Sequence, residues 1–251
     1  MSGEITGILS GTLAQEMRLE VLSNNMANAN TFGFKEDRVF RVPGTTSSVW
    51  DNLSGASSKD LALNNLSSLP VGSFTNFEQG HLKETGNVLD LALDGEGFFS
   101  VQTSQGIQYT RKGNFVLNSS GTLVTQDGYP VLGNSGGEIQ ISGKDVVVMS
   151  NGAIKVDGVE VDTLSIVDFA NKKGMLKNGE SLFSPADPNE PGIPAGNVLV
   201  QQGALEASNV DSIKMMTEMI DAIRGYESYQ KIIQSMNETN GKAVNEVGKL
   251  S

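Results

Sequence analysis

The stretch from Leu205 to Leu250 limits the fold more than any other part of the chain. Counting from Met215, apolar residues recur at alternating spacings of four and three: Met219, Ala222, Tyr226, Tyr229, Ile233, Met236, then Ala243, Val247 and Leu250, with Asn240 the one break. Glu218, Asp221, Arg224, Glu227 and Lys231 fall off that seam. A heptad seam of this kind predicts a coiled-coil helix, for which Asn209 and Asp211 offer N-cap oxygens. About 40 residues at a rise of ~1.5 Å make a rod of roughly 60 Å, and a rod with one apolar stripe needs a partner.

The N-terminus repeats the pattern in weaker form. Ile5, Ile8, Thr12, Gln15, Leu19, Leu22, Met26 and Ala29 follow the same alternation, with polar residues at Thr12 and Gln15. Such a helix orders mainly by packing on another apolar stripe, so the two ends are expected to pair. The helix runs into Ser23-Asn24-Asn25-Met26-Ala27-Asn28-Ala29-Asn30-Thr31-Phe32-Gly33-Phe34-Lys35, whose asparagines and glycine favour turns and left-handed backbone. From Arg38 to about Phe77 no period is sustained, and Trp50 is the only tryptophan. That texture predicts a long connector or an extended hairpin, ordered in an assembly.

Between Asn87 and Gln202 short β segments alternate with turn pairs: Asp94-Gly95, Gln105-Gly106, Lys112-Gly113, Ser120-Gly121, Asp127-Gly128, Asn151-Gly152 and Asp157-Gly158. They join segments such as Gly97–Val101, Thr122–Thr125, Val146–Val148 and Leu164–Val167, and predict an all-β domain. Pro185, Pro188, Pro191 and Pro194 mark an exposed loop that cannot join a central strand. The 29 glycines fit a chain rich in turns.

A net charge of -11 opposes binding to nucleic acid or anionic lipid. No run of about 18 apolar residues predicts membrane insertion, and no basic region followed by an apolar stretch predicts a cleaved signal peptide. The chain has no cysteine, so disulfides and thiolate metal sites are excluded. Neither metal nor cofactor is expected. His81 is the only histidine, the carboxylates lack calcium-loop spacing, Gly95-Glu96-Gly97 lacks the third glycine and following helix of a dinucleotide site, and no lysine follows a Gly-rich loop as a P-loop requires.

The sharpest catalytic candidate is Gly133-Asn134-Ser135-Gly136-Gly137, with His81 and Asp90 upstream in the chain order of trypsin-like proteases. Against that alternative, Glu138-Ile139-Gln140-Ile141 alternates like a strand where an α/β-hydrolase elbow needs a helix, and about 115 β residues hold one barrel rather than two. A Gly-rich hairpin loop accounts for the same residues. A secreted adhesin with a coiled-coil stalk is a third reading.

Three stretches together resemble the bacterial flagellar rod and hook family, the axial proteins of the flagellar basal body. The first is Leu22–Lys35, carrying Asn24, Asn25, Asn28, Asn30, Gly33 and Phe34. The second is Asp94–Val101 with Tyr109–Phe115 and Gly121–Thr125. The third is Gly203–Asp211, carrying Leu205, Glu206, Ser208, Asn209 and Val210, and running on to Glu218, Arg224 and Tyr226. Within the family, the short middle domain and total length are most similar to the proximal rod protein, then to the distal one.

The resemblance implies an α+β fold. The N- and C-terminal helices would pair as a coiled-coil layer, carrying a central all-β domain outside it. Domain boundaries are expected at residues 1–36 for the N-terminal helix and Asn-rich motif, 37–78 for the connector, 79–202 for the β domain and 203–251 for the C-terminal helix. The expected assembly seam comprises Leu19, Leu22, Met26, Met215, Met219, Ala222, Tyr226, Tyr229, Ile233 and Met236. The resemblance also implies a non-enzymatic subunit of the periplasm-spanning rod. Its partners would be copies of itself, other flagellar axial proteins, and the flagellar type III export apparatus, which exports such chains without a cleaved signal.

Overall fold

The structure, a computed structural model, describes residues 2–41, 71–187 and 190–247. The fold is α+β, with a helix near each end and a β domain between them. The chain divides into two compact units, one of residues 1–27, 37–74 and 211–251, the other of residues 28–36 and 75–210.

The first unit contains helix α1 (Ser2–Ala27), strand β1 (Asp37–Arg41), strand β2 (Val71–Thr75) and helix α2 (Ser212–Val247). Asp211 caps α2: its Oδ1 accepts the Ile213 and Lys214 amides at 3.0 and 3.1 Å, satisfying donors that the first helical turn leaves open. The helices touch in antiparallel order. Gly11 lies where a Cβ would come 2.7 Å from the Tyr229 ring, Gln15 packs over Gly225, and Arg18 Nη2 pairs with Glu218 Oε2 at 3.5 Å. Farther along, Asn25 Nδ2 is 4.0 Å from Met215 Sδ.

Strands β1 and β2 form a two-stranded sheet, with Phe40 and Phe74 in ring contact. That is the base of the expected hairpin; the rest of the 38–77 expectation, Trp50 included, lies outside the described residues, as do Pro188 and Leu250. Asn25 ties α1 to β1, donating to the Asp37 carbonyl at 2.7 Å and accepting the Asp37 amide at 2.9 Å. The Asn-rich turn therefore differs from its expectation. Asn24 and Asn25 are still helical, and left-handed backbone in this motif falls on Gly33 alone, at φ 68°.

The second unit carries β3 (Leu82–Glu84), β4 (Leu91–Asp94), β5 (Phe98–Thr103), β6 (Gly106–Thr110), β7 (Val116–Leu117), β8 (Leu123–Val124), β9 (Val146–Val148), β10 (Ala153–Val156) and β11 (Val159–Thr163). It continues with β12 (Ile166–Asp168), β13 (Met175–Lys177), β14 (Leu182–Pro185), β15 (Ile193–Pro194), β16 (Leu199–Gln202) and β17 (Ala204–Glu206). The largest sheet runs β13-β14-β6-β5-β12-β15 and the next β11-β10-β9, while β16-β4, β17-β3 and β7-β8 are pairs. Every pairing with a resolved register is antiparallel.

Turn chemistry sets the hairpins. Asp157 and Gly158, at φ 50° and 83°, join β10 to β11, and positive φ at both positions is the two-residue hairpin geometry that matches strand twist. Two of the loop prolines do pair, against expectation: Pro185 as the last residue of the inner strand β14, opposite Met175, and Pro194 in β15 at the sheet edge. Two apolar clusters fill the unit. The larger includes Leu91, Phe99, Phe115, Ile139, Ile154 and Val200; the smaller packs Phe98 against Phe169, Met175 and Phe183.

Candidate functional site

Strand β17 is short but fully buried, and pairing with β3 fixes Glu206 opposite Leu82. The Glu206 carboxylate lies inside the second unit and is 1% exposed. Its Oε1 accepts Lys35 Nζ at 2.6 Å and the Gly80 amide at 2.9 Å, and its Oε2 accepts Arg111 Nη1 at 3.2 Å. Lys35 and Arg111 are as deeply buried as their anion. A charge removed from water needs a partner and hydrogen bonds; Lys35 has both, and Arg111 is paired through Nη1 and Nη2 while its buried Nε finds no acceptor. Lys35 also donates to the Glu78 carbonyl at 2.7 Å; Arg111 Nη2 donates to the Gly95 carbonyl at 2.8 Å, with its guanidinium 5.3 Å from the Phe98 ring centre. Burial pushes both cations below their ordinary pKa, and the Glu206 carboxylate opposes that fall.

The backbone around the cluster is equally specific. The Gly33 amide donates to the Glu206 carbonyl at 2.8 Å, and a Cβ on Gly33 would stand 2.4 Å from the Lys112 nitrogen. Asn209 accepts the Glu36 amide at 2.8 Å and donates to the Asn76 and Glu78 carbonyls, both at 2.9 Å. It therefore joins three strands of chain rather than capping α2. Lys177 donates to the Lys35 carbonyl at 2.9 Å and stands over the Phe34 ring at 3.8 Å. Of the remaining motif residues, Leu205 is buried, Ser208 Oγ accepts the Val210 amide at 3.3 Å, Asn28 Oδ1 accepts the Thr31 hydroxyl at 3.3 Å, and Asn30 is exposed.

In the first unit, of the expected seam residues of α2, Met215 and Ala222 are buried, and Met219, Tyr226, Tyr229, Ile233 and Met236 are half-buried. On α1, Leu22 is buried while Leu19 and Met26 are half-buried. Contact or burial there falls on Gly11, Ala14, Gln15, Arg18, Leu22 and Asn25, a mostly small and polar set of which the periodicity included only Gln15 and Leu22. A second stripe on α2, one position beyond the seam, is apolar and exposed: Ile213, Met216, Ile220 and Ile223.

Residues 9–35 match the family described as "Flagella basal body rod protein", residues 92–159 the "Flagellar hook protein FlgE/F/G D1 domain", and residues 201–246 the "Flagellar basal body rod FlgEFG protein C-terminal". The chain is 36% identical to "Flagellar basal-body rod protein FlgG" of Bacillus subtilis, across 94% of this chain and 96% of that one. It is 35% identical to "Flagellar basal-body rod protein FlgF" of Caulobacter vibrioides across 97% of each, and 31% identical to "Flagellar hook-basal body complex protein FlhO" of Bacillus subtilis across 96% and 97%. The chain belongs to the flagellar basal-body rod protein family.

Membership in the rod family makes the chain a structural protein and not an enzyme. The side chains of the hydrolase alternative are engaged elsewhere. Ser135 donates to Asp162 at 3.4 Å, Asp90 accepts Thr85 and Asn87 at 2.6 and 3.0 Å, and His81 is exposed. Gly133 and Gly137 close a tight loop by a 2.8 Å backbone bond, as a Gly-rich hairpin does. Among the described residues no helix is long and apolar enough to cross a membrane.

The three motifs of the rod family supply all three charges of the buried cluster. Sequence reasoning singled out Glu206 but not Lys35 or Arg111, although both stand inside the motif stretches. Their signal was charge within an apolar, glycine-punctuated context.

Proposed function

We propose that this rod protein polymerises helically through its terminal helices, α1 and α2 pairing as a coiled coil within each subunit, and that the polymer transmits torque. The observation that carries the reading is the second stripe on α2. Ile213, Met216, Ile220 and Ile223 are between 42% and 78% exposed. Full burial of such a side chain is worth roughly 1.5 to 3 kcal/mol, and the share still exposed on each is stabilisation that a lone chain forgoes. Contiguous apolar surface of this kind marks an interaction site, and neighbouring copies or other axial subunits offer the matching stripe.

The contact is heterologous, since a rod grows only where the surfaces joined are different and the rotation does not close. The rod crosses the periplasm, and the chain reaches it through the flagellar type III apparatus without a cleaved signal. A proximal position, nearest the inner membrane, accords with the short middle domain; a distal position is the second reading. Relatives named FlgF and FlgG match almost equally well, at 35% and 36% identity.

Ile220→Asp tests the interface. An exposed substitution should leave the isolated chain's folding unchanged, within about 0.5 kcal/mol. Rod assembly and motility should nevertheless be lost, while Lys231→Asp, on an exposed position off both stripes, should be tolerated. Normal basal bodies with Ile220→Asp would sink the reading. Labelled subunits seen at the distal end of isolated basal bodies would replace the proximal assignment.

A further inference from the structure

The buried cluster is asymmetric in a way that orders events along the chain. Glu206 is one carboxylate serving two cations, Lys35 and Arg111, from segments 171 and 95 residues away in sequence. Consider β17 seated while residues 28–36 remain undocked. Glu206 still has Arg111 on Oε2 and the Gly80 amide on Oε1, so its charge is met. The groups left open, the Glu206 carbonyl and Asn209 Oδ1, can accept water.

Now consider residues 28–36 docked before β17. Lys35 would then stand beside the Arg111 guanidinium with no anion between them, and like charges at close range repel. The amides of Gly33 and Glu36, whose acceptors belong to Glu206 and Asn209, would turn to water, so the charges set the order. The remaining ammonium contact, the Glu78 carbonyl, carries no net charge. One order satisfies every buried charge at each step, and the other does not.

We propose that Glu206 is a folding-order clasp: strand β17 seats first against Arg111, and residues 28–36 dock only afterwards, on the anion that β17 has delivered. The consequence is directional. The segment that follows α1 lacks its anion and the acceptors of two of its amides until the chain as far as Asn209 is in place; the contacts left to it, from Lys177 and to the Glu78 carbonyl, do not meet the Lys35 charge. This device stands whether or not the chain polymerises.

The test is pulse-labelled hydrogen exchange during refolding of the full chain, read at single amides. The Ala207 amide, bonded to the His81 carbonyl at 2.9 Å, reports seating of the C-terminal stretch; the Gly33 and Glu36 amides report docking of residues 28–36. Ala207 should gain protection first, with Gly33 and Glu36 following. Gly33 or Glu36 protected as early as Ala207 overturns the proposal.

Equilibrium variants test the charge logic. Glu206→Gln should lower protection at Gly33 and Glu36 by at least about tenfold, while Ser100, bonded to Ser165 across the core at 3.1 Å, keeps its protection. Lys35→Met removes the dependent cation and should leave Ala207 protected. The double variant Glu206→Gln/Lys35→Met should protect Gly33 better than Glu206→Gln alone, because no ammonium is stranded. Unchanged Gly33 protection in Glu206→Gln, or no rescue in the double variant, refutes the clasp; if Glu206→Gln unfolds the whole unit, the wild-type labelling order decides.

Discussion

Gly113 shows how little room single positions leave in the β unit. A Cβ there would stand 1.6 Å from the Leu91 carbonyl oxygen, which itself accepts no freedom to move because Leu91 is buried and its amide donates to the Gly113 carbonyl. Gly113→Ala should therefore cost at least about 3 kcal/mol in urea unfolding followed by near-UV circular dichroism, the range expected when backbone must shift. Tyr109 gives a pH prediction. Burial raises its phenol above the ordinary value of 10.0, and its ring stands edge-on to Phe169 at 4.8 Å. A raised folded pKa means that the folded state holds the proton more tightly. The stabilisation is complete below the ordinary value and is lost as pH rises through the folded one. Wild type should lose stability above pH 10.0 more steeply than Tyr109→Phe, and equal slopes would contradict the burial argument. At this scale the sequence was least legible. Lys35, Arg111 and Glu206 are far apart in the chain, and charge is ordinarily read as surface; only the fold reveals that the three share one buried site.

Among elements, α2 was legible and α1 only partly so. Long apolar side chains at Met215, Met219, Ile233 and Met236 announce a stripe; Met215 is buried and the other three are half-buried. The contact face of α1 uses Gly11, Ala14, Gln15 and Asn25, where closeness of approach and hydrogen bonding replace apolar bulk, so periodicity includes Gln15 but misses the other three. Strands were marked by their turn pairs, and the Gln105-Gly106 pair joins β5 to β6, yet β14 beside β6 and β12 beside β5 were not legible, because those neighbours meet across long intervals that no local pattern encodes. Two substitutions test the helix reading. Asp211→Ala removes the acceptor of the Ile213 and Lys214 amides and should cost α2 about 1 kcal/mol, seen as faster exchange at those two amides. Ile233→Asp puts a charge on the half-buried seam and should abolish rod assembly, since desolvating an unpaired charge outweighs the lost apolar contact. Equal damage from Ile233→Asp and Lys231→Asp would misplace the seam.

For the whole molecule, the decisive contrast is where apolar surface is buried. The second unit closes two cores on itself, including Leu91, Leu93, Phe98, Phe99, Phe115 and Phe183, each nearly inaccessible. Burial worth roughly 1.5 to 3 kcal/mol per side chain therefore falls mainly on that unit. The first unit buries far less among its described residues: Leu22 and Met215 are its large buried apolar side chains, with Ala14 and Ala222 beside them. Its helices leave Leu13, Ile213, Met216, Ile220 and Ile223 to water. Two units so unequal should not unfold as one. Limited proteolysis of the isolated chain should cut α1 and α2 first, in sites that local opening exposes at little free-energy cost. The 75–210 body should persist, and residues 28–36 should remain with it, because Lys35, Gly33 and Glu36 are bonded into that body rather than into the helices. In assembled rods the same helix sites should become resistant, since neighbours then cover the stripe. Helices that survive as long as β5 and β6 in the isolated chain would show that the first unit is stable by itself, and assembly would then need another source of free energy than the surface α2 leaves open.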